Sequence, residues 1–256
     1  DCVVSYIEYL TDSTIKTNTL RRKIASLKVF YSYLMTQNLI TENPFNQLRF
    51  QFRTEKTLPK IIPHNNLKKI YVYLKQRVIT SKTNFQRQKA ERNLLIVSLL
   101  LSTGIRISEL CHIQIKNINL QNQTLHILGK GKKERIIFLG DETTVILLKI
   151  YLANYCKQSD KYLFPGKISQ KPLTEQSVRL VLKTVREQMN LANSITPHMF
   201  RHSFATMLLD NDVDIRYIQQ ILGHSSISIT QIYTHVSQSK QREILTSCNP
   251  IASIHT

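Results

Sequence analysis

Between Ile195 and Val236 the chain carries His198 and Arg201 three residues apart, a Gly223-His224 pair and Tyr233. A guanidinium grips anions through a planar fork, an imidazole donates a hydrogen bond or moves a proton, and a tyrosine hydroxyl is a nucleophile once a base takes its proton. Together these groups suit covalent catalysis at an anionic centre, and none of them has metal-ligand spacing. Each alone has an ordinary use. A His near a helix start packs against its neighbours, Gly-His ends many helices, a lone Arg is a surface cation, and most of eleven tyrosines are structural. Only the set supports a chemical reading.

These side chains need elements that point them at one place. Thr196 caps a predicted helix that begins with Pro197, so His198 and Arg201 share a face. His202 lies one turn from His198 and competes with it for the same role on geometry alone. Asp214 caps a second helix striped by Ile215, Ile218, Ile221 and Leu222 and stopped by Gly223, which puts His224 on a turn. Ser228 with Gln231 reads as a capping box for a short third helix carrying Tyr233.

Upstream, Leu20, Ile24, Leu27, Tyr31 and Leu34 recur at helical spacing, with Arg21, Arg22, Lys23 and Lys28 on other faces. This basic amphipathic helix stops near Asn38, and Pro44 enforces a turn. The run from Arg49 to Pro63 has two prolines and no helical period, as a linker would. The expected division is a helical domain over 1–52, a linker over 53–63, and a second domain over 64–256. The second domain opens with Leu67, Ile70, Tyr71 and Leu74, followed by a polar, basic stretch over 75–92. A buried helix, NLLIVSLLLST, comes next and is stopped by Gly104. Arg106 then heads a further helical turn whose Ile105, Leu110 and Ile113 face the core. An Arg placed between two packed helices is positioned as a site residue.

The period then changes to that of strands. TLHIL and ERIIFL flank Gly129-Lys130-Gly131-Lys132, predicting a β-hairpin with a basic tip. This is no Walker motif, because the spacing and the following helix are absent. The use expected for the tip is a Lys carried into a groove. Helices return over 141–155 and, capped by Thr174, over 174–189. The tail after Val236 is weakly amphipathic up to Leu245, either a short helix for contact with another chain or a frayed end.

The formal charge is +18 with pI near 9.9, and residues 61–135 hold 14 Lys and Arg against 3 Asp and Glu. Such a field suits a polyanion, and nucleic acid is the leading partner. Four widely spaced cysteines without a C-x-x-C pair argue against a zinc site and a disulfide framework, and fit reduced thiols in a cytoplasm. No apolar run is long enough to span a membrane, and no signal-peptide pattern is read.

Four blocks of this sequence, STGIRISEL, LGKGKKERIIFL, TPHMFRHSFATMLL and LGHSSISITQIYTHV, resemble those of the tyrosine recombinase (phage integrase) family, and most nearly its bacterial Xer-type members. The resemblance runs in order over most of residues 1–240. It implies a mainly α fold with a small β-hairpin or sheet, in two parts: a helical, SAM-like core-binding domain and an α+β catalytic domain. Family members have further helices ahead of the matched segment, so the amino-terminal domain is expected to be incomplete. No insertion separates the hairpin from His198, which disfavours an integron-type integrase.

By block register, Arg106, Lys130, His198, Arg201, His224 and Tyr233 correspond to the family's catalytic set, and Glu109 to an acidic residue supporting the helix of Arg106. The resemblance implies that Tyr233 attacks a DNA phosphorus to form a 3′-phosphotyrosyl bond. Arg106, Arg201 and His224 would hold the non-bridging oxygens, Lys130 would protonate the leaving 5′ oxygen, and His198 would accept the tyrosine proton. Neither cofactor nor metal nor ATP is called for. Four protomers would assemble on two double-stranded DNA sites with inverted-repeat half-sites and exchange strands through a Holliday junction. An accessory or directionality protein is a further possible partner, and the setting is a nucleoid-associated, cytoplasmic one. Arg21, Arg22, Lys23, Lys28, Lys132 and Lys133 would contact DNA, the two domains would clamp the duplex, and the tail would dock onto a neighbour. Two other readings stay open: a type IB topoisomerase-like enzyme that nicks and closes one duplex, and a non-catalytic DNA-binding relic.

Overall fold

The computed structural model describes residues 2–46, 48, 60–128, 134–157, 159–166, 170–223 and 238–255. The chain divides into two compact units, Asp1–Leu58 and Pro59–Thr256.

The smaller unit pairs α1 (Cys2–Asp12) with α2 (Thr17–Thr36). Val3, Ile7 and Leu10 recur every three or four residues on α1 and meet Leu20 and Ile24 of α2, with Phe45 closing the cluster. Leu27 and Tyr31 pack at its edge, as their spacing predicts. Lys28 lies over the Phe45 ring, 5.9 Å from its centroid, while Arg21 and Arg22 are exposed and Lys23 half-buried.

In the larger unit, α4 (Asn84–Thr103) runs through the middle and packs against α3 (His64–Ile79), α6 (Glu142–Tyr155) and α8 (Pro197–Asp210). Covered on all sides, its second half is buried all round and apolar but for Ser98, Ser102 and Thr103, which is why no amphipathic stripe shows there. The helix begins ten residues before the apolar run, at the Thr83 cap, whose hydroxyl accepts the Gln86 N–H at 3.2 Å. Most of the polar stretch over 75–92 is therefore helical. Its side chains are polar because that end of α4 reaches solvent.

Residues 60–63, included in the expected linker, belong to this unit. Ile62 is buried in the main core and its N–H donates to Ser203 Oγ at 2.9 Å.

After α5 (Ile107–Cys111) comes an antiparallel sheet of β1 (Ile118–Asn119), β2 (Thr124–Leu128) and β3 (Glu134–Phe138), in that order. The hairpin register pairs Leu125 with Ile137 and Leu128 with Glu134. β1 is only two residues long and has no periodicity to reveal it. The tip of the β2–β3 hairpin, residues 129–133, lies outside the described residues.

Side-chain caps fix the helices that follow. Asp141 caps α6, Thr174 caps α7 (Glu175–Gln188), Thr196 caps α8, and Asp214 caps α9 (Ile215–Leu222), each accepting a first-turn N–H.

The tail forms α10 (Gln238–Ser247) and α11 (Ala252–His255). It is not frayed. Ile244 and Leu245 join Phe138, Phe204 and Leu222 in a second core, Ile251 and Ile254 enter the main one, and Asn249 donates to the Ser102 carbonyl at 3.2 Å. Of the two expected forms of the tail, the structure shows the helix, and it packs on its own chain. No described helix is long and apolar enough to cross a membrane.

Candidate active site

Two helices, α4 and α9, end at glycines in the left-handed region, Gly104 at φ 59° and Gly223 at φ 63°. Each terminus leaves carbonyls without intrahelical partners and carries the negative end of a helix dipole. Arg201, one turn into α8, is only 6% exposed, and it joins these two ends. It donates to the Gly104 carbonyl at 2.7 Å and to the Leu222 carbonyl at 2.6 Å. Gly104 is required there twice over: for its φ, and because a Cβ would come within 2.6 Å of both Phe204 and Leu222.

Arg106 stands just ahead of α5 and donates to the Gly223 carbonyl at 2.9 Å. Leu222 and Gly223 are consecutive, so both arginines are tied to one turn, immediately before His224 in the sequence. Glu109 reaches back to the start of its own helix, accepting the Arg106 N–H at 3.0 Å and the Arg106 guanidinium at 3.1 Å. The helical turn expected after Gly104 is present, with Ile105, Leu110 and Ile113 buried.

Sequence reasoning missed Arg135. Its two terminal nitrogens donate to the two Glu109 oxygens at 2.6 and 2.7 Å, a bidentate pair tighter than the one Arg106 makes. Its Nε is buried without a hydrogen-bond partner among the described residues. One signal could have found it. Alternate strand residues share a face, and Arg135 shares one with buried Ile137, so a charge sits where an apolar residue is expected.

Two guanidiniums, Arg106 and Arg135, therefore hold one carboxylate. Burial would raise the Glu109 pKa, but the hydrogen bonds and charges of Arg135 and Arg106 outweigh it and hold the carboxyl below its ordinary value. Burial, then the neighbouring Arg106 and Arg135 charges, push Arg201 down to about 10 against the pull of Glu109, so it remains a cation at neutral pH. Excess positive charge held by fixed backbone acceptors is suited to binding an anion.

His198 and His202 are both exposed on α8. Burial first, then the neighbouring His198 and Arg201, lower the His202 pKa. The structure thus brings Arg106 and Arg201 to one turn, with His198 on the same helix as Arg201. Lys130, Lys132, Lys133, His224 and Tyr233, with the Ser228–Gln231 cap, lie outside the described residues. Among the described residues no three His, Cys, Asp or Glu side chains gather as a metal site would require.

A match to the phage integrase family covers residues 60–240. The chain belongs to that family. This tyrosine recombinase is 46% identical over 242 residues to a tyrosine recombinase of Agathobacter rectalis, covering 94% of this chain and 79% of that protein. It is 34% identical to the tyrosine recombinase XerC of Pediococcus pentosaceus, over 93% of this chain and 78% of the relative. Among solved structures, a XerH site-specific recombinase bound to a palindromic difH substrate superposes with a TM-score of 0.70. It covers 94% of this chain and 70% of that one at 24% identity, a likeness of fold. The protein is a mainly helical Xer-type recombinase with a small antiparallel sheet, and it breaks and rejoins DNA strands in site-specific recombination by the tyrosine mechanism.

Proposed function

We propose that Arg106, Lys130, His198, Arg201, His224 and Tyr233 carry the reaction. Tyr233 Oη forms a bond to a backbone phosphorus as the bond from phosphorus to the 5′ oxygen breaks, leaving a 3′-phosphotyrosyl link. Arg106 and Arg201 neutralise the charge that grows on the non-bridging oxygens, and His224 adds a hydrogen bond there. His198 accepts the tyrosine proton and Lys130 supplies one to the leaving oxygen. The link conserves the phosphodiester energy, so a 5′ hydroxyl reverses the step without ATP.

The observation that carries this reading is the attachment of both arginines to consecutive carbonyls, Leu222 and Gly223, one residue ahead of His224. Four protomers on two sites with inverted-repeat half-sites, exchanging strands through a Holliday junction, complete the proposal. An accessory protein would set direction, in a cytoplasmic, nucleoid-associated setting.

Residues 1–52 serve as the core-binding domain. The exposure of Arg21, Arg22 and Lys28 on α2 supports DNA contacts there, and Lys132 and Lys133 are assigned the same use.

Covalent trapping tests the chemistry. The protein and its Tyr233→Phe variant are incubated with sheared DNA from the source, denatured in detergent, and the attached DNA is sequenced. Adducts enriched at one inverted repeat and lost in the variant are expected. Adducts scattered over all sequences would favour a topoisomerase-like enzyme, and binding without adducts a non-catalytic protein.

A further inference from the structure

We propose that Arg135 is a positioning residue for the cleavage step: it holds the Glu109 carboxylate so that Arg106 is free to turn onto the phosphate. This rests on the role given to Arg106 above.

Glu109 is 6% exposed, and among the described residues it has two cationic partners, Arg106 and Arg135. Arg106, the more exposed of the two, has to exchange Glu109 and the Gly223 carbonyl for phosphate oxygens. If Arg106 were the only partner, that exchange would strand a buried carboxylate, an expensive outcome. The fork from Arg135 removes the obstacle. It occupies both Glu109 oxygens already, at 2.6 and 2.7 Å, and the Arg106 N–H stays on Oε2 at 3.0 Å whichever way the Arg106 side chain points.

The location of Arg135 adds a second function. It is the second residue of β3, the strand that leaves the hairpin tip carrying Lys130, and its guanidinium stem lies against Gly223. A Cβ at 223 would stand 3.0 Å from Arg135 Cδ and 3.2 Å from its Nε. One side chain thereby ties the strand after the tip, the carboxylate beneath Arg106 and the turn before His224. Glycine at 223 leaves room for it.

The test uses the full chain and the sheared source DNA of the trapping experiment, reading the adduct rate at saturating protein and, separately, the affinity for that DNA. Arg135→Ala is expected to slow adduct formation by about 10–100-fold, as a mispositioned catalytic group does, with affinity within about twofold because a single electrostatic contact is a small part of DNA binding. Arg135→Lys keeps a cation beside Glu109 and should recover part of the loss. In a Glu109→Gln background no carboxylate is left to hold, so adding Arg135→Ala should cost less than about twofold, non-additivity being the mark of coupled residues. If Arg135→Ala does not fold, the Lys variant and the double variant carry the comparison.

The proposal is overturned if Arg135→Ala reacts within twofold of the parent, if Lys recovers nothing, or if the two losses multiply. Failure of the parent itself to give a Tyr233-dependent adduct would instead sink the assignment of the catalytic set.

Discussion

Arg201 and Arg106 offer the same guanidinium to one turn of the chain, yet they are held in different ways. Arg201 is buried and bonded to main chain at two helix ends, so it can move only if α4 or α9 moves. Arg106 has a side chain 36% exposed and bonded to one carbonyl and one carboxylate, partners that a phosphate can replace. One arginine is part of the scaffold and the other is a hand resting on it. Burial decides which, because replacing a buried backbone contact leaves the carbonyls unpaired, whereas water or substrate can take over at an exposed one.

That contrast fails if the two positions respond alike to substitution. Arg201→Ala should cost about 2–4 kcal/mol, because two buried acceptors lose their donor, and about 10²–10³-fold in adduct rate. Arg201→Lys should recover little, since an ammonium lacks the fork that spans both carbonyls. Denaturant unfolding and the trapping assay read the two effects.

Gly104→Ala attacks the same scaffold from the backbone side. Strain at positive φ and overlap with Phe204 and Leu222 should cost about 2–3 kcal/mol in chemical unfolding. Gly223→Ala meets the longer, more adaptable Arg135 side chain, and about 1 kcal/mol is expected.

Glu109→Gln sharpens the exposed half of the comparison through pH. The folded carboxyl sits below its ordinary pKa, so the unfolded chain takes up the proton first and stability rises with pH between the two values. The contribution of Glu109 is complete above the ordinary carboxylate range and fades as pH falls through the depressed value. In the Gln variant that part of the acid slope should vanish, leaving a loss of about 1–2 kcal/mol at neutral pH from the weakened charged hydrogen bonds. Unfolding at a series of acid pH values checks it.

The smallest change in stability belongs to Arg106→Ala, within about 0.5 kcal/mol as for other partly exposed surface positions, while the adduct rate falls by about 10²–10³-fold. Equal losses of stability at 106 and 201 would erase the distinction.

Much of the site's support was readable beforehand because it is local. Thr196 with Pro197, Asp214 with Gly223, and Gly104 before Arg106 are capping and stop signals whose partners lie within a few residues, and all of them hold in the structure. Arg135 escaped because its partner is 26 residues away and a strand charge next to a Lys-rich tip reads as more of the same surface. The burial of the tail was not legible for a related reason. Ile251 and Ile254 show no long helical stripe, and the core that takes them is built from segments far earlier in the chain.

By itself, then, the sequence determined where α8 and α9 begin and where α4 and α9 stop, which groups could do chemistry, the charge that attracts DNA, and membership of a recombinase family through the order of four blocks. Those features depend on neighbours within a turn or two, or on composition. Tertiary structure alone decided what each arginine is bonded to, which carboxylate serves two of them, and where the tail is buried. A guanidinium takes the partner that other elements bring within about 3 Å, and Arg106 and the Gly223 carbonyl it bonds are separated by 117 residues of chain.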